Sequence, residues 1–211
     1  MENIKQFLKN AYGIVAESIE MIDGGLVNTN FKVTSEDGVY VFKQYDQKSV
    51  QEVRFETDVL QELESSKVPS PRLVTSKNES VLSEFEGKPC VVYEYINGSP
   101  VDVLSESQLN QIGILMGKLH VALQDFHPSV SKSAWEISEL KELVKNSTES
   151  LEERGYANAS ELISFVHSEL DKFSFSSKLA KGITHQDIKP ENVLIHEGTV
   201  SGIVDFDNSY Q

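Results

Sequence analysis

His185-Gln186-Asp187-Ile188-Lys189-Pro190-Glu191-Asn192 is the stretch that organises this sequence, and Val204-Asp205-Phe206-Asp207 follows it. The spacing His-x-Asp-x-x-x-x-Asn places a carboxylate and an amide at the two ends of one loop. Asp187 can orient a hydroxyl and take its proton. The amide oxygen of Asn192 suits a hard, oxygen-seeking cation such as Mg²⁺. Asp205 can add a metal carboxylate, and Asp207 either touches the same ion or supports it from behind. His185, Asp187, Asp205 and Asp207 also admit a second reading, a hydrolytic metal cluster.

Outward from that stretch, Asn192–His196 and Val200–Val204 read as two short strands around a Glu197-Gly198 turn. The region before it is helical in period. Ser105-Glu106-Ser107-Gln108 is a capping box that opens a helix carrying Leu109, Ile112, Leu115, Met116 and Leu119. Ile137 to Glu153 and Ser160 to Phe173 repeat the helical period, with Gly155 as a C-terminal cap. His120 reads as a packed or capping histidine, and Trp135 and the Phe173–Phe175 pair read as core or packing residues.

The first half is strand-rich. Residues 24–33 read as strand, tight turn and strand, and Glu36-Asp37-Gly38 as a hairpin turn before Val39–Lys43. Ser49 to Glu64 switches to helical period through Val53, Phe55, Val59, Leu60 and Leu63, and Pro69 and Pro71 stop it. Val81-Leu82 and Cys90–Tyr95 are further strands, separated by a turn at Phe85–Lys88. Ile4, Phe7, Leu8, Ala11 and Tyr12 have the spacing of a docked amphipathic helix.

The composition excludes several classes. The chain has 211 residues, a formal charge of −14 and 39% hydrophobic residues. That is enough apolar content for a packed core and the wrong charge for non-specific nucleic-acid binding. Cys90 is the only cysteine, which forbids an internal disulfide and points to a reducing, cytoplasmic setting. It reads as a small buried hydrophobe. No apolar run approaches a membrane span, and the N-terminus lacks the pattern of a signal peptide.

Taken in order, these motifs resemble the kinase superfamily, and more closely its aminoglycoside phosphotransferase and choline-kinase-like small-molecule kinases. The resemblance runs from about Gly24 to Asp207. Protein kinases are the rival, but Asp207 stands where they carry glycine, and the turn Gly24–Asn30 is not Gly-x-Gly-x-x-Gly. The chain also leaves no room for their activation loop.

The resemblance implies an α+β, protein-kinase-like two-lobed fold. Residues 1–96 would form an antiparallel β-rich nucleotide lobe ending at a hinge. Residues 97–211 would form a mainly helical lobe, incomplete at its C-terminus. The resemblance implies ATP and Mg²⁺ as cofactors. Asp187 becomes the catalytic base, with Lys189 on the γ-phosphate and His185 structural. Asn192, Asp205 and Asp207 become metal ligands. Lys43 becomes the lysine on the α- and β-phosphates, and Glu56 its helix partner, with Glu52 one turn earlier as competitor. Asn28, Thr29 and Asn30 belong to the nucleotide-covering turn, and backbone groups near Glu94 and Ile96 hold adenine. The acceptor would be a small-molecule hydroxyl: an aminoglycoside, choline, homoserine or sugar-like alcohol. The alternative is a nucleotide-binding but catalytically incomplete fragment or remnant of such a kinase.

Overall fold

The alternation along the strands decides which side chains meet. The computed structural model describes residues 1–22, 27–132, 137–156, 158–173 and 182–210. Five strands form one antiparallel sheet: β1 (Ala16–Ile22), β2 (Asn28–Ser35), β3 (Gly38–Tyr45), β4 (Ser83–Phe85) and β5 (Lys88–Glu94). Their order is β1-β2-β3-β5-β4, so β3 and β5 lie inside and carry neighbours on both edges. The expected hairpin forms, with Ser35 paired to Gly38 across Glu36-Asp37.

Because side chains alternate along a strand, Val41, Lys43 and Tyr45 share one face of β3 with Val91 and Tyr93 of β5. That face packs on α2 (Val50–Glu64), burying Val53, Phe55, Val59, Leu60 and Leu63. Phe31, Val33, Phe42, Cys90 and Val92 line the opposite face and receive Ile4 and Leu8 of α1 (Glu2–Ala11). Each such large apolar side chain contributes roughly 1.5–3 kcal/mol by leaving water. Cys90 is the buried hydrophobe expected of it, and burial pushes its thiol up to about 12.

α2 begins with a complete capping box. Ser49 accepts from the Glu52 N–H, and the Glu52 carboxylate accepts from the Ser49 N–H. The Ser105/Gln108 box opens α3 (Glu106–Leu123) in the same way. α3 packs Ile112 against Val193 and Val200 of the hairpin β6 (Val193–His196) and β7 (Thr199–Ile203). β5 hands the chain to this region through a short connector. Gly98 there has φ 146°, and a Cβ on it would lie 2.4 Å from Ser201 Oγ, so only glycine fits.

Several sequence expectations are corrected. Val81-Leu82 is not a strand. Glu86 and Gly87 form a left-handed turn that pairs Phe85 with Lys88, so the strand counts back only to Ser83. Asn192 ends a 3₁₀ turn, Pro190–Asn192, instead of starting β6. His120 is exposed in the last turn of α3, which fits the capping alternative and not the packed one. Phe173, 63% exposed, is not a core residue. Trp135, Phe175 and Gly24-Gly25 lie outside the described residues.

By compactness the chain divides into Met1–Lys132 with Gly182–Gln211, and Ser133–Lys181. The second unit is a pair of helices, α4 (Ile137–Glu153) and α5 (Ala159–Lys172), joined by a Lys141–Asp171 ion pair. All the candidate site residues belong to the first unit.

Candidate active site

Lys43 sits mid-strand on β3, opposite Asn30 on one side and Val91 on the other. It is 5% exposed. Its Nζ donates to Glu56 Oε1 at 3.3 Å and to Asp205 Oδ1 at 3.0 Å. Burial alone would lower its pKa, but Glu56, Tyr93, Asp205 and Asp207 outweigh burial and hold it well above the ordinary value. The lysine is therefore a permanent cation on a rigid element, which suits a phosphate clamp. Glu56 and Glu52 separate cleanly. Glu52 is spent on the helix cap, and Glu56, one turn later, is 2% exposed and faces Lys43.

The loop after residue 182 is built around His185. The ring is 1% exposed and packs 4.4 Å from the ring of Phe206. Nε2 lies 3.0 Å from the Val204 carbonyl, and Nδ1 accepts from the Asp187 N–H at 3.4 Å. Those two partners require the neutral tautomer with its proton on Nε2. Burial lowers the His185 pKa against the opposing pull of Val204, Asp205 and Asp187. His185 thus holds Asp187 by its backbone.

Asn192 holds it by the side chain. Its Nδ2 donates to the Asp187 carbonyl at 2.9 Å and to Asp187 Oδ2 at 3.0 Å. Lys189 Nζ also reaches Oδ2, at 2.9 Å, and is half exposed. This bond raises the Lys189 pKa. With Oδ2 occupied twice, Oδ1 is the oxygen of Asp187 left to meet a hydroxyl.

Asp205 takes up φ 66° and ψ 61°, a left-handed backbone that a non-glycine residue adopts only where its surroundings enforce it. Two lysines hold the chain just beyond Asp205. Lys48 and Lys132 both donate to the Asp207 carbonyl at 2.6 Å. Lys132 also lies over the rings of Phe55 and Tyr210. The Asp207 carboxylate is 5% exposed, accepts from Asn28 Nδ2 at 2.9 Å, and lies 3.4 Å from Lys48 Nζ. Burial opposes its ionisation, but Lys43, Lys48 and Asn28 prevail and lower its pKa.

The oxygens here fit a magnesium ion carried with a nucleotide. Asn192 has spent its nitrogen on Asp187, which leaves Oδ1 for a cation. The Asp205 side chain is 38% exposed with Oδ1 on Lys43, and Asp207 Oδ1 is buried without a hydrogen-bond partner. No three His, Cys, Asp or Glu side chains converge among the described residues. Mg²⁺ does not need such a cage, since one or two carboxylates plus phosphates and water suffice. The hydrolytic cluster loses His185, whose ring is turned to Val204 and Phe206.

Asn28, Thr29 and Asn30 are the first three residues of β2, not part of the turn. Thr29 donates to Asp46, and Asn30 pairs with Lys43. Glu94 and Ile96 line a cleft of about 220 Å³ with Pro69, Ser70, Arg72, Tyr95 and Ser201. Neither Lys43 nor Asp187 lines the cleft. The Glu94 N–H is taken by the Arg72 carbonyl, whereas the Ile96 N–H has no backbone partner among the described residues.

Sequence reasoning missed Lys48, Lys132, Tyr45 and Tyr93. The tyrosines carried a readable signal, the alternation that places them on the face of Lys43. The two lysines carried none, since they bind a backbone carbonyl far along the chain.

No described helix is long and apolar enough to cross a membrane. Homoserine kinase of Methylobacillus flagellatus is 24% identical over 97% of this chain and 62% of its own length. Homoserine kinase of Neisseria meningitidis serogroup B is 26% identical over 90% of this chain and 60% of its own. The chain thus spans about three-fifths of the length of these curated relatives. The structure of a spectinomycin phosphotransferase with ADP and spectinomycin superposes with a TM-score of 0.73, at 16% identity, over 99% of this chain and 69% of the other. That of an amicoumacin kinase with AMP-PNP, Ca²⁺ and Ami gives 0.74 at 17% identity, over 99% and 64%. The fold is therefore protein-kinase-like, an antiparallel sheet lobe joined to helices. With the family model for the phosphotransferase enzyme family matching residues 18–210, the chain belongs to that family.

Proposed function

We propose that this protein is an ATP- and Mg²⁺-dependent kinase that moves the γ-phosphate of ATP to a hydroxyl of a small molecule. The observation that carries this reading is Lys43 held between Glu56 and Asp205, beside a loop that presents Asp187 with one oxygen unoccupied. Phosphoryl transfer asks little covalent chemistry of a protein and much positioning of charge.

Each residue has a role. Lys43 steadies the α- and β-phosphates. Asn192 and Asp205, with Asp207 beside them, would hold Mg²⁺, which would supply positive charge to neutralise the phosphate oxygens. Asp187 orients the acceptor hydroxyl through Oδ1 and receives its proton, an effect worth roughly 10²–10⁴-fold in rate. Lys189, now paired with Asp187, is placed to meet the γ-phosphate. The Ile96 N–H and the Glu94 carbonyl serve adenine. The acceptor is a small alcohol of the homoserine or aminoglycoside kind, and the enzyme acts in the cytoplasm.

Two measurements test the reading. Mg·ATP should raise the melting temperature, with about 2.7 kcal/mol of added stability at a hundredfold excess over Kd. Radiolabelled γ-phosphate should then appear on an alcohol in a panel containing homoserine, choline and spectinomycin. No stabilisation by Mg·ATP, or stabilisation without labelling of any alcohol, would contradict it.

A further inference from the structure

Glu56 is a buried carboxylate whose donors all reach one oxygen. Lys43 Nζ and Tyr93 Oη both bond Oε1, at 3.3 and 3.0 Å, while Oε2 is buried without a hydrogen-bond partner. Tyr93 has a single hydroxyl proton, and a carboxylate can only accept, so that proton goes to Glu56. The Tyr45 hydroxyl, 3.0 Å from that of Tyr93, must then be the donor in the second contact. The chain of donation is fixed as Tyr45 to Tyr93 to Glu56. Burial and the Glu56 charge push both phenols well above their ordinary pKa, which keeps both protons in place.

The two tyrosines come from different strands. Tyr93 stands on β5 opposite Val41, and Tyr45 ends β3 two residues beyond Lys43. Their hydroxyls meet across the Lys43–Val91 pair. The Tyr45 ring also lies 4.8 Å beneath Lys43 Nζ. The lysine is thus held by a carboxylate that is itself held, and by an aromatic face. Packing alone would be served equally well by phenylalanine at either position.

We propose that Tyr93, with Tyr45 behind it, is a positioning residue for the nucleotide phosphates, acting through Glu56 to hold Lys43 at its working place. Neither hydroxyl touches nucleotide. This rests on the reading of Lys43 as the phosphate clamp, and the test separates the two.

The test compares binding of Mg·ADP with binding of adenosine, which lacks the phosphates, by calorimetry on the wild type, Tyr93→Phe and Tyr45→Phe. The wild type should prefer ADP. Tyr93→Phe should lose about tenfold of that preference, the worth of one hydrogen bond to a charged group, and keep its affinity for adenosine. Tyr45→Phe should lose less, in the same direction. An unchanged ADP-to-adenosine ratio in Tyr93→Phe overturns the proposal while leaving the clamp intact. Equal loss of both ligands together with a lowered melting temperature also overturns it, because that is a packing effect. A wild type with no preference for ADP overturns the clamp itself, and the proposal with it.

Discussion

Lys43 and Asp205 form an ion pair of 3.0 Å across 162 positions of sequence. It ties the central strand of the sheet to the Asp205–Asp207 segment. Lys43→Met should remove phosphoryl transfer by about 10²-fold or more, the usual cost of losing one preorganised donor. It should also destabilise the fold by about 3–5 kcal/mol, because Glu56 is left as an uncompensated buried charge. Adding Glu56→Leu should return much of that stability and none of the activity. Chemical denaturation and a transfer assay on the single and double variants check both statements.

The two glutamates of α2 should divide by measurement as they divide by geometry. Glu52→Ala breaks the capping box and should cost about 1 kcal/mol of stability with little change in kcat. Glu56→Gln should fold and lose activity. Equal loss of activity in both variants would contradict the assignment.

His185 gives the stability a pH dependence of definite sign. Its folded pKa lies below the ordinary value of 6.5. The unfolded chain therefore binds the proton more readily, and stability is full above pH 6.5 and declines as pH falls below it. His185→Gln should be less stable at pH 7.5 but lose less between pH 7.5 and 5. A steeper decline in the variant, read from melting temperatures across that range, would contradict the neutral, Val204-bonded ring.

Asp205 should carry the metal dependence of nucleotide binding. Removing Mg²⁺ with a chelator should weaken ADP binding by the wild type, and Asp205→Asn should bind ADP weakly whether or not Mg²⁺ is present. Calorimetric titrations with and without chelator give the comparison directly.

Much of this was legible because the relevant signals are local. The His185–Asn192 loop, the Ser49 and Ser105 capping boxes and the Glu36-Asp37 turn each complete themselves within a few residues, so sequence spacing is enough to read them. β1 was not legible, because its burial pattern lacks a clean alternation. Val81-Leu82 read as a strand from its apolar character, but the neighbouring turn set the register instead. Tyr45 and Tyr93 carry only the alternation of their strands in the sequence, and their hydroxyls acquire a role only when two strands bring them together. Lys48 and Lys132 were invisible because their shared target is the backbone of Asp207, a partner that no residue type announces.

The role proposed for Asp187 is to prepare a small-molecule hydroxyl for attack on ATP. Its most direct test is the rate of γ-phosphate transfer to the alcohol acceptor by the wild type and by Asp187→Asn, with ADP affinity measured on both. ADP affinity should be equal in the two, and transfer should fall by roughly 10²–10⁴-fold in the variant. Transfer at the wild-type rate by Asp187→Asn would contradict it.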